Sequence, residues 1–184
     1  MNENGPFGFT ISASDPDLPA NSLTYSQTGA PAGAAIHPAS GAFTWTPSHA
    51  LAGQDLSFAV RVTDSGSPQL HDEESITLRV NARPAFLNPV SFRRVVVGYV
   101  FRMVVQASDS DSRPYPLPYA VSGSLPAGAS FDPATRVLTW IPTEEQTGQH
   151  TIIFTSSDSL ATASMTVTIQ VDNQFVLFLP FARH

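Results

Sequence analysis

The segments FTISASDPD (9–17) and MVVQASDSD (103–111) decide the fold of this chain, because they show that it repeats itself. Both place Ala-Ser-Asp-x-Asp after an apolar stretch, 94 positions apart. One inserted residue later, PAGAAIHPASGAFTWTP (31–47) matches PAGASFDPATRVLTWIP (126–142), with Pro, Ala-Gly-Ala, Pro-Ala, Thr-Trp and Pro in the same order. Ordered matches over this length indicate an internal repeat, which is a stronger guide to architecture than any local pattern.

The repeat also sets the domain boundaries. The two copies end alike, at ITLRVN (76–81) and VTIQVD (167–172). The sequence therefore predicts a first domain over residues 1–82, a second over 83–172 and a C-terminal tail over 173–184. Pro84 lies in the short linker and biases the residue before it toward an extended backbone, so we expect limited bending between the domains.

Apolar residues alternate with polar or small ones, which is the pattern of half-buried β-strands. Phe58, Val60 and Val62 form one such run, and residues 165–171 form another. The runs are short and bounded by Gly, Pro, Asp or Ser, and no stretch keeps a helical period over three turns. Six or seven strands in about 90 residues are typical of an immunoglobulin-like sandwich.

Trp45 and Trp140 occupy equivalent positions in the two copies. The flanking threonines already supply the outward face of each strand, so we predict that both indole rings lie in the core between two sheets. The alternative is an exposed platform on which a sugar ring stacks.

The two copies differ at their starts. Copy two carries an additional segment in which Phe86 to Phe92 predicts a first strand, whereas the alignable part of copy one begins at Asn4 or Gly5. We therefore expect the first sandwich to lack its first strand and to expose a sheet edge. Phe175 to Leu179 in the tail is a further strand candidate, which either belongs to the next part of a larger protein or, alternatively, fills a vacant edge.

Five motifs together resemble a known family. Ala-Ser-Asp-x-Asp, Leu-Thr-Tyr-Ser (23–26), Leu-Pro-Ala-Gly (125–128), Phe-Asp-Pro-Ala-Thr (131–135) and Trp-x-Pro are similar to the putative Ig modules of bacterial surface proteins, relatives of the dystroglycan-type cadherin-like domains. The resemblance covers residues 7–81 and 84–172. It implies an all-β chain of two tandem immunoglobulin-like (cadherin-like) β-sandwiches, of the kind arrayed in large exported proteins as spacers or adhesive elements.

Cadherin-like modules often bind calcium, and the resemblance implies six candidate ligands. They are Asp15, Asp17 and Asp64 in copy one, and Asp109, Asp111 and Asp158 in copy two. Calcium takes roughly six to eight oxygen ligands, and clustered carboxylates repel one another unless a cation lies among them. The Leu-Asp-Arg-Glu element of cadherins is absent and their acidic linker is reduced to Asn-Ala-Arg-Pro, so the expectation is one weak site in each copy. The alternative is that these aspartates cap turns through backbone hydrogen bonds.

Composition and motifs argue against several classes of function. The chain has no cysteine, and its nine basic residues are scattered arginines in a chain of net charge −6, so we expect no nucleic-acid partner. No apolar run approaches ~20 residues, so we expect no membrane insertion, and the first residues are not a signal peptide. The five histidines show no metal-ligand spacing, and neither a nucleophile elbow nor a phosphate loop occurs, so we expect no catalysis.

The sequence thus predicts a non-enzymatic spacer or adhesive module of an exported or cell-surface protein. Calcium is a candidate ligand that would stiffen the module. Its export signal would lie outside this sequence, and its partners would include neighbouring repeats of a larger chain. The alternatives are a module that binds a surface protein or a glycan, and an accessory region of a larger secreted enzyme. An exposed aromatic cluster would favour the binding module, and buried tryptophans would favour the spacer.

Overall fold

The computed structural model describes residues 1–17, 19–111 and 117–173. Within them, every regular element apart from two 3₁₀ turns is a β-strand. The described residues form two compact units. The first unit comprises residues 1–83, with residues 110 and 111, and the second comprises residues 84–109 and 117–173.

The first unit is built from two antiparallel sheets. Its described strands are β1 (Phe7–Thr10), β2 (Leu23–Thr28), β3 (Ala35–Ile36), β4 (Ala42–Trp45), β5 (Asp55–Asp64) and β6 (His71–Arg79). One sheet has the order β1-β4-β3 and the other the order β2-β5-β6, and a 3₁₀ turn at His49–Leu51 connects the two. The β5–β6 hairpin is the longest pairing, and it places Phe58 opposite Ile76 and Val60 opposite Glu74.

The core of the first unit lies between these sheets. Phe43 and Trp45 of β4 are buried together with Phe58 and Val60 of β5. The rings of Phe43 and Phe58 stack with their centroids 5.2 Å apart. Alternation in both strands thus directs one face inward, as the period-2 pattern predicted, and the result is a sandwich.

The second unit repeats this plan and extends it. Its described strands are β7 (Ala85–Phe86), β8 (Phe92–Val96), β9 (Phe101–Val104), β10 (Ala107–Ser108), β11 (Tyr119–Ser122), β12 (Ser130–Asp132), β13 (Val137–Trp140), β14 (Gly148–Ser157) and β15 (Thr162–Asp172). The sheets have the orders β12-β13-β9 and β11-β14-β15-β8, and β7 pairs separately with β10. Strand β8 runs parallel to β15, whereas the other pairs are antiparallel. A 3₁₀ turn at Glu144–Gln146 precedes β14.

The core of the second unit is larger and more completely closed. Leu138 and Trp140 of β13 are fully buried against Phe154 of β14 and against Val167 and Ile169 of β15. Phe86 of β7 packs against the same core. The chain is therefore all-β, with two tandem immunoglobulin-like sandwiches.

The predicted first strand of the second sandwich, Phe86 to Phe92, is interrupted in the structure. Only its two ends are strands, and they pair with different partners: β7 with β10, and β8 with β15. Asn88 between them adopts a left-handed backbone (φ 52°), and Pro89 has no N–H to donate. The prediction therefore located strand residues correctly, but it was wrong to join them into one continuous strand.

The described part of the first unit lacks a counterpart of β7, as expected, and retains only a remnant of β8. Asn2 forms a parallel bridge with Asn81, and the N–H of Glu3 donates to the Asn81 carbonyl over 3.1 Å. In the second unit, the N–H of Val97 donates to the Asp172 carbonyl over 3.0 Å in the same way. The structural equivalence therefore begins at the first residues of the chain, earlier than the sequence alignment showed.

No helix in the described ranges is long and apolar enough to cross a membrane. The strand predicted at Phe175 to Leu179 lies outside the described residues.

Candidate functional site

Both tryptophans are core residues. Trp45 is 3% exposed and Trp140 is fully buried. Each indole Nε1–H donates a hydrogen bond of 3.2 Å into the Pro-Ala-Gly-Ala turn, to the carbonyl of Ala32 in the first unit and of Ala127 in the second. An indole held in this way cannot present its face to a sugar, so the prediction of two core aromatics is confirmed.

A tyrosine in each unit holds the segment that leads into the Asp-x-Asp turn. The Tyr25 hydroxyl accepts the N–H of Ala13 over 3.0 Å, and the Tyr119 hydroxyl accepts the N–H of Ala107 over 2.8 Å. The repeated Tyr therefore fixes where the aspartates that follow can lie.

The aspartates of the first unit act as acceptors for loop backbone. Asp15 accepts the N–H of Asp17 (2.8 Å) and that of Asn21 (3.1 Å), and these bonds, that to Asp17 foremost, lower the pKa of its carboxyl. Asp64 accepts the N–H groups of Gly66 (2.9 Å) and Leu70 (3.0 Å). Such bonds favour the charged form of a carboxyl and fix the turn around it.

The aspartates of the second copy are distributed differently. Asp158 accepts the N–H groups of Leu160 (2.8 Å) and Ala161 (2.6 Å), which matches the part played by Asp64. Asp109 follows β10 in the second unit and is half-buried. Asp111 groups with the first unit, where its carboxylate accepts the N–H of Ala82 over 3.1 Å.

Among the described residues, no group of three or more His, Cys, Asp or Glu side chains lies close enough together to hold a metal ion. Calcium takes roughly six to eight oxygen ligands. The described carboxylates alone do not supply that many, so backbone or water oxygens would have to complete a site. Asp15, Asp64 and Asp158 cap the turns in which they lie. The six aspartates remain a prediction for calcium.

A cleft of about 410 Å³ opens between the two sheets of the first unit. Ile11, Tyr25 and Val60 line its apolar part, and Asp72 and Glu74 of β6 line its rim. Because Glu74 pairs with Val60, and Asp72 with Val62, both carboxylates lie on the side of β6 that faces the core. The cleft is therefore a groove of mixed character, with an apolar floor and a negatively charged wall.

The same strand positions are filled quite differently in the second unit. There, Met165 pairs with Phe154 and Ala163 with Ser156 in the equivalent hairpin, and Met165 is buried. Aligning the two last strands places Glu74 at the position of Met165 and Asp72 at that of Ala163. The sequence alone did not predict this cleft. The phase of the alternation in β6 could have placed Asp72 and Glu74 on its core-facing side, but not the segment that lies opposite them.

A second site that the sequence analysis missed is the carboxylate of Glu3. Glu3 is 6% exposed, its Oε1 accepts the N–H of Arg83 over 3.0 Å, and its Oε2 bonds to Nδ1 of His49. All three residues belong to the first unit. The contact ties the last residues of that unit to its first ones, and an acidic residue near a chain start gives no sequence signal for such a role.

A family model for the putative Ig domain matches residues 1–81 and again residues 83–172, so this chain belongs to that family, twice over. A search of curated proteins finds no match. Solved structures that this chain resembles in fold include mouse cadherin-23 EC22-24, at 21% identity and a TM-score of 0.44. That match covers 89% of this chain and 58% of the cadherin.

Two further solved structures also match this chain. The human desmocollin-1 ectodomain is 20% identical over 94% of this chain and 40% of its own, with a TM-score of 0.46. An endo-fucoidan hydrolase of glycoside hydrolase family 107 is 16% identical over 95% of this chain and 27% of its own, with a TM-score of 0.41. This chain thus spans less than two thirds of each of these three structures.

Proposed function

We propose that this chain is a structural or adhesive module of an exported or cell-surface protein, acting as a two-domain spacer. Membership of the putative Ig domain family in two consecutive segments carries the proposal. Both cores are filled by their own aromatic side chains, and the tryptophans are not available as a sugar platform. These observations support a spacer over a glycan-binding domain that uses those rings.

The spacer role is tested by stretching the chain from its two ends in a single-molecule force experiment. Two independently folded sandwiches give two separate unfolding events. Each unit releases about 80 residues at ~3.3–3.6 Å per residue, so each event lengthens the chain by somewhat less than ~30 nm. A chain that extends without resolved events would refute a spacer role, and specific retention on a glycan array would favour the binding module instead.

Calcium stiffening is the finer part of this proposal. It is supported in the first unit by the meeting of two loops: the side-chain amide of Asn21 and the Asp64 carboxylate both lie 3.3 Å from the position that a Cβ at Gly66 would take. Asp15 accepts the N–H of Asn21 on the first of these loops. Two carboxylates with backbone and water oxygens would make a weak site, so millimolar calcium is the right probe.

The measurement is the unfolding midpoint of the chain in EDTA and in millimolar calcium. A ligand that binds only the folded state stabilises it by roughly 2.7 kcal/mol at a hundredfold excess over Kd. We expect a rise in the midpoint that is lost in Asp15→Asn and Asp109→Asn, with Glu145→Asn as a control for charge. An equal midpoint in both buffers would remove calcium from the proposal and leave the spacer role untouched.

A further inference from the structure

The second unit shows what occupies the equivalent of the cleft in the first. Strand β7 pairs with β10 there, with Phe86 opposite Ala107, and lies in contact with β15. Leu87 donates its N–H to the Gln106 carbonyl over 2.7 Å, and Phe86 packs on the core. A two-residue strand with one inward side chain is thus enough to close this end of a sandwich.

The first unit has the same backbone segment that β7 pairs with in the second unit, but its described residues include no strand equivalent to β7. Ser12, Ala13 and Ser14 take the positions of Gln106, Ala107 and Ser108, and Ala13 is held by Tyr25 as Ala107 is held by Tyr119. In the part of the chain that the structure describes, no strand pairs with Ala13 or Ser14. The cleft borders this unpaired backbone.

The cleft of the first unit and the Phe86 site of the second unit differ in charge. In the second unit, Phe86 packs against an apolar core that includes Met165, so a phenylalanine side chain fits there. In the first unit, the equivalent wall carries Glu74 and Asp72, and neither forms an ion pair within the described ranges. An apolar side chain over these carboxylates would displace their water, and the N–H of Glu73, which donates to Asp72 over 2.9 Å, replaces only part of it. Such burial is therefore unfavourable.

A basic side chain resolves this conflict. The aliphatic stem of an arginine or lysine can lie along Val60, Val62 and Ile76, and its charged head can reach Asp72 and Glu74. Charge-assisted bonds to a carboxylate are the strong ones, and arginine can make two of them to one carboxylate. The main chain on either side would bond to the open backbone at Ser12 and Ser14, as in strand addition.

We propose that the first unit is a receptor for an extended, basic segment of a partner polypeptide. The segment adds a short antiparallel strand beside Ala13–Ser14 and inserts one arginine or lysine side chain into the cleft. This interaction surface is distinct from the turn aspartates and goes beyond the spacer role.

The test uses the whole chain and two synthetic peptides. One has the sequence of residues 84–92, PAFLNPVSF, and the other carries Phe86→Arg. Binding is measured by isothermal titration at low and moderate salt. We expect the arginine peptide to bind, with an affinity that falls as salt rises, and the phenylalanine peptide to bind at least about tenfold more weakly.

Three protein variants make the result specific. Asp72→Asn with Glu74→Gln removes the charge of the wall and should abolish the preference for arginine, whereas Glu144→Gln with Glu145→Gln removes two exposed charges from the second unit and should change nothing. Asp72→Ala with Glu74→Met gives the first unit the side chains of the second and should reverse the preference toward the phenylalanine peptide. A misfolded protein cannot produce this gain.

Two outcomes would overturn the proposal. Equal binding of both peptides to the unchanged chain would show that the carboxylates do not select a basic side chain. If no peptide binds and sedimentation shows a dimer that Asp72→Ala with Glu74→Met alters, a second copy of this chain occupies the cleft and the basic partner is wrong.

Discussion

Gly41 is a position at which adding one methyl group should damage the first unit. Its φ is +66°, in the left-handed region, and its carbonyl accepts the N–H of Ile11 over 3.0 Å. A Cβ built on Gly41 would lie 2.2 Å from the Ile11 carbonyl oxygen, which is backbone and cannot rotate away. Gly41→Ala therefore forces the β1–β4 connection to shift.

The expected loss of stability has two parts. The left-handed conformation costs a residue with a side chain about 1–2 kcal/mol. Relieving the contact with Ile11 requires distorted backbone angles, at about 1–2 kcal/mol more. We expect Gly41→Ala to destabilise the first unit by about 2–4 kcal/mol, a large share of the ~5–15 kcal/mol typical of a folded domain.

The second unit contains a matched control at the same position. Arg136 has φ +64°, its carbonyl accepts the N–H of Val105 over 3.0 Å, and its guanidinium lies 5.9 Å from the centre of the Tyr119 ring. Because a side chain is already accommodated there, Arg136→Ala loses only this contact, about 0.5–1 kcal/mol.

The assay is urea unfolding followed by tryptophan fluorescence. Trp45 reports on the first unit in a Trp140→Phe background, and Trp140 reports on the second in a Trp45→Phe background. If Gly41→Ala lowers the free energy of unfolding by no more than Arg136→Ala does, this prediction is wrong, because the close approach to Ile11 would then be absent in solution.

Two further changes test the core and the turns. Trp140→Ala, at a fully buried position, should destabilise the second unit by about 3–5 kcal/mol in urea unfolding followed by circular dichroism, without shifting the Trp45 fluorescence transition, and a loss below about 1 kcal/mol would contradict its core role. The pKa of Asp132 is lowered from 3.8 by hydrogen bonds from Thr135 and from the N–H of Ala134. Its folded pKa lies below the unfolded one, so its contribution is complete above about pH 4 and is lost as pH falls through the folded value. The stability advantage of the unchanged chain over Asp132→Asn should therefore shrink below pH 4, and a difference independent of pH would contradict this account.

Much of the fold could be predicted from short-range patterns. Alternation identified the long strands, because a strand with one buried face must repeat every two residues. The internal repeat placed Trp45 and Trp140 at one position of two sandwiches, and both are buried. The first strand of copy two was predicted as continuous, because alternation does not show where Asn88 and Pro89 divide the segment between two partners.

The candidate site could be predicted only in part. The aspartates were found from the sequence because Asp-x-Asp recurs. Asp15, Asp64 and Asp158 cap their own turns, and the calcium role of the six residues stays a prediction. The groove was missed because its two walls, Ser12–Ser14 and Asp72–Glu74, are separated by nearly sixty residues. No local pattern relates segments so distant, and only the packed sandwich brings them together.

The sequence by itself determined that this protein is two copies of one β-sandwich of the putative Ig domain family, since periodicity and repetition are properties of the chain. Which copy has one end of its sandwich filled by a side chain, and which leaves it open, is seen only in the folded structure. In the second unit, Phe86 fills the space beside Ala107 and packs on the core. In the first unit, the equivalent space beside Ala13 is an open cleft with acidic residues on one wall. Whether a carboxylate is a solvated charge or the wall of a groove depends on what lies opposite, and that is fixed by packing.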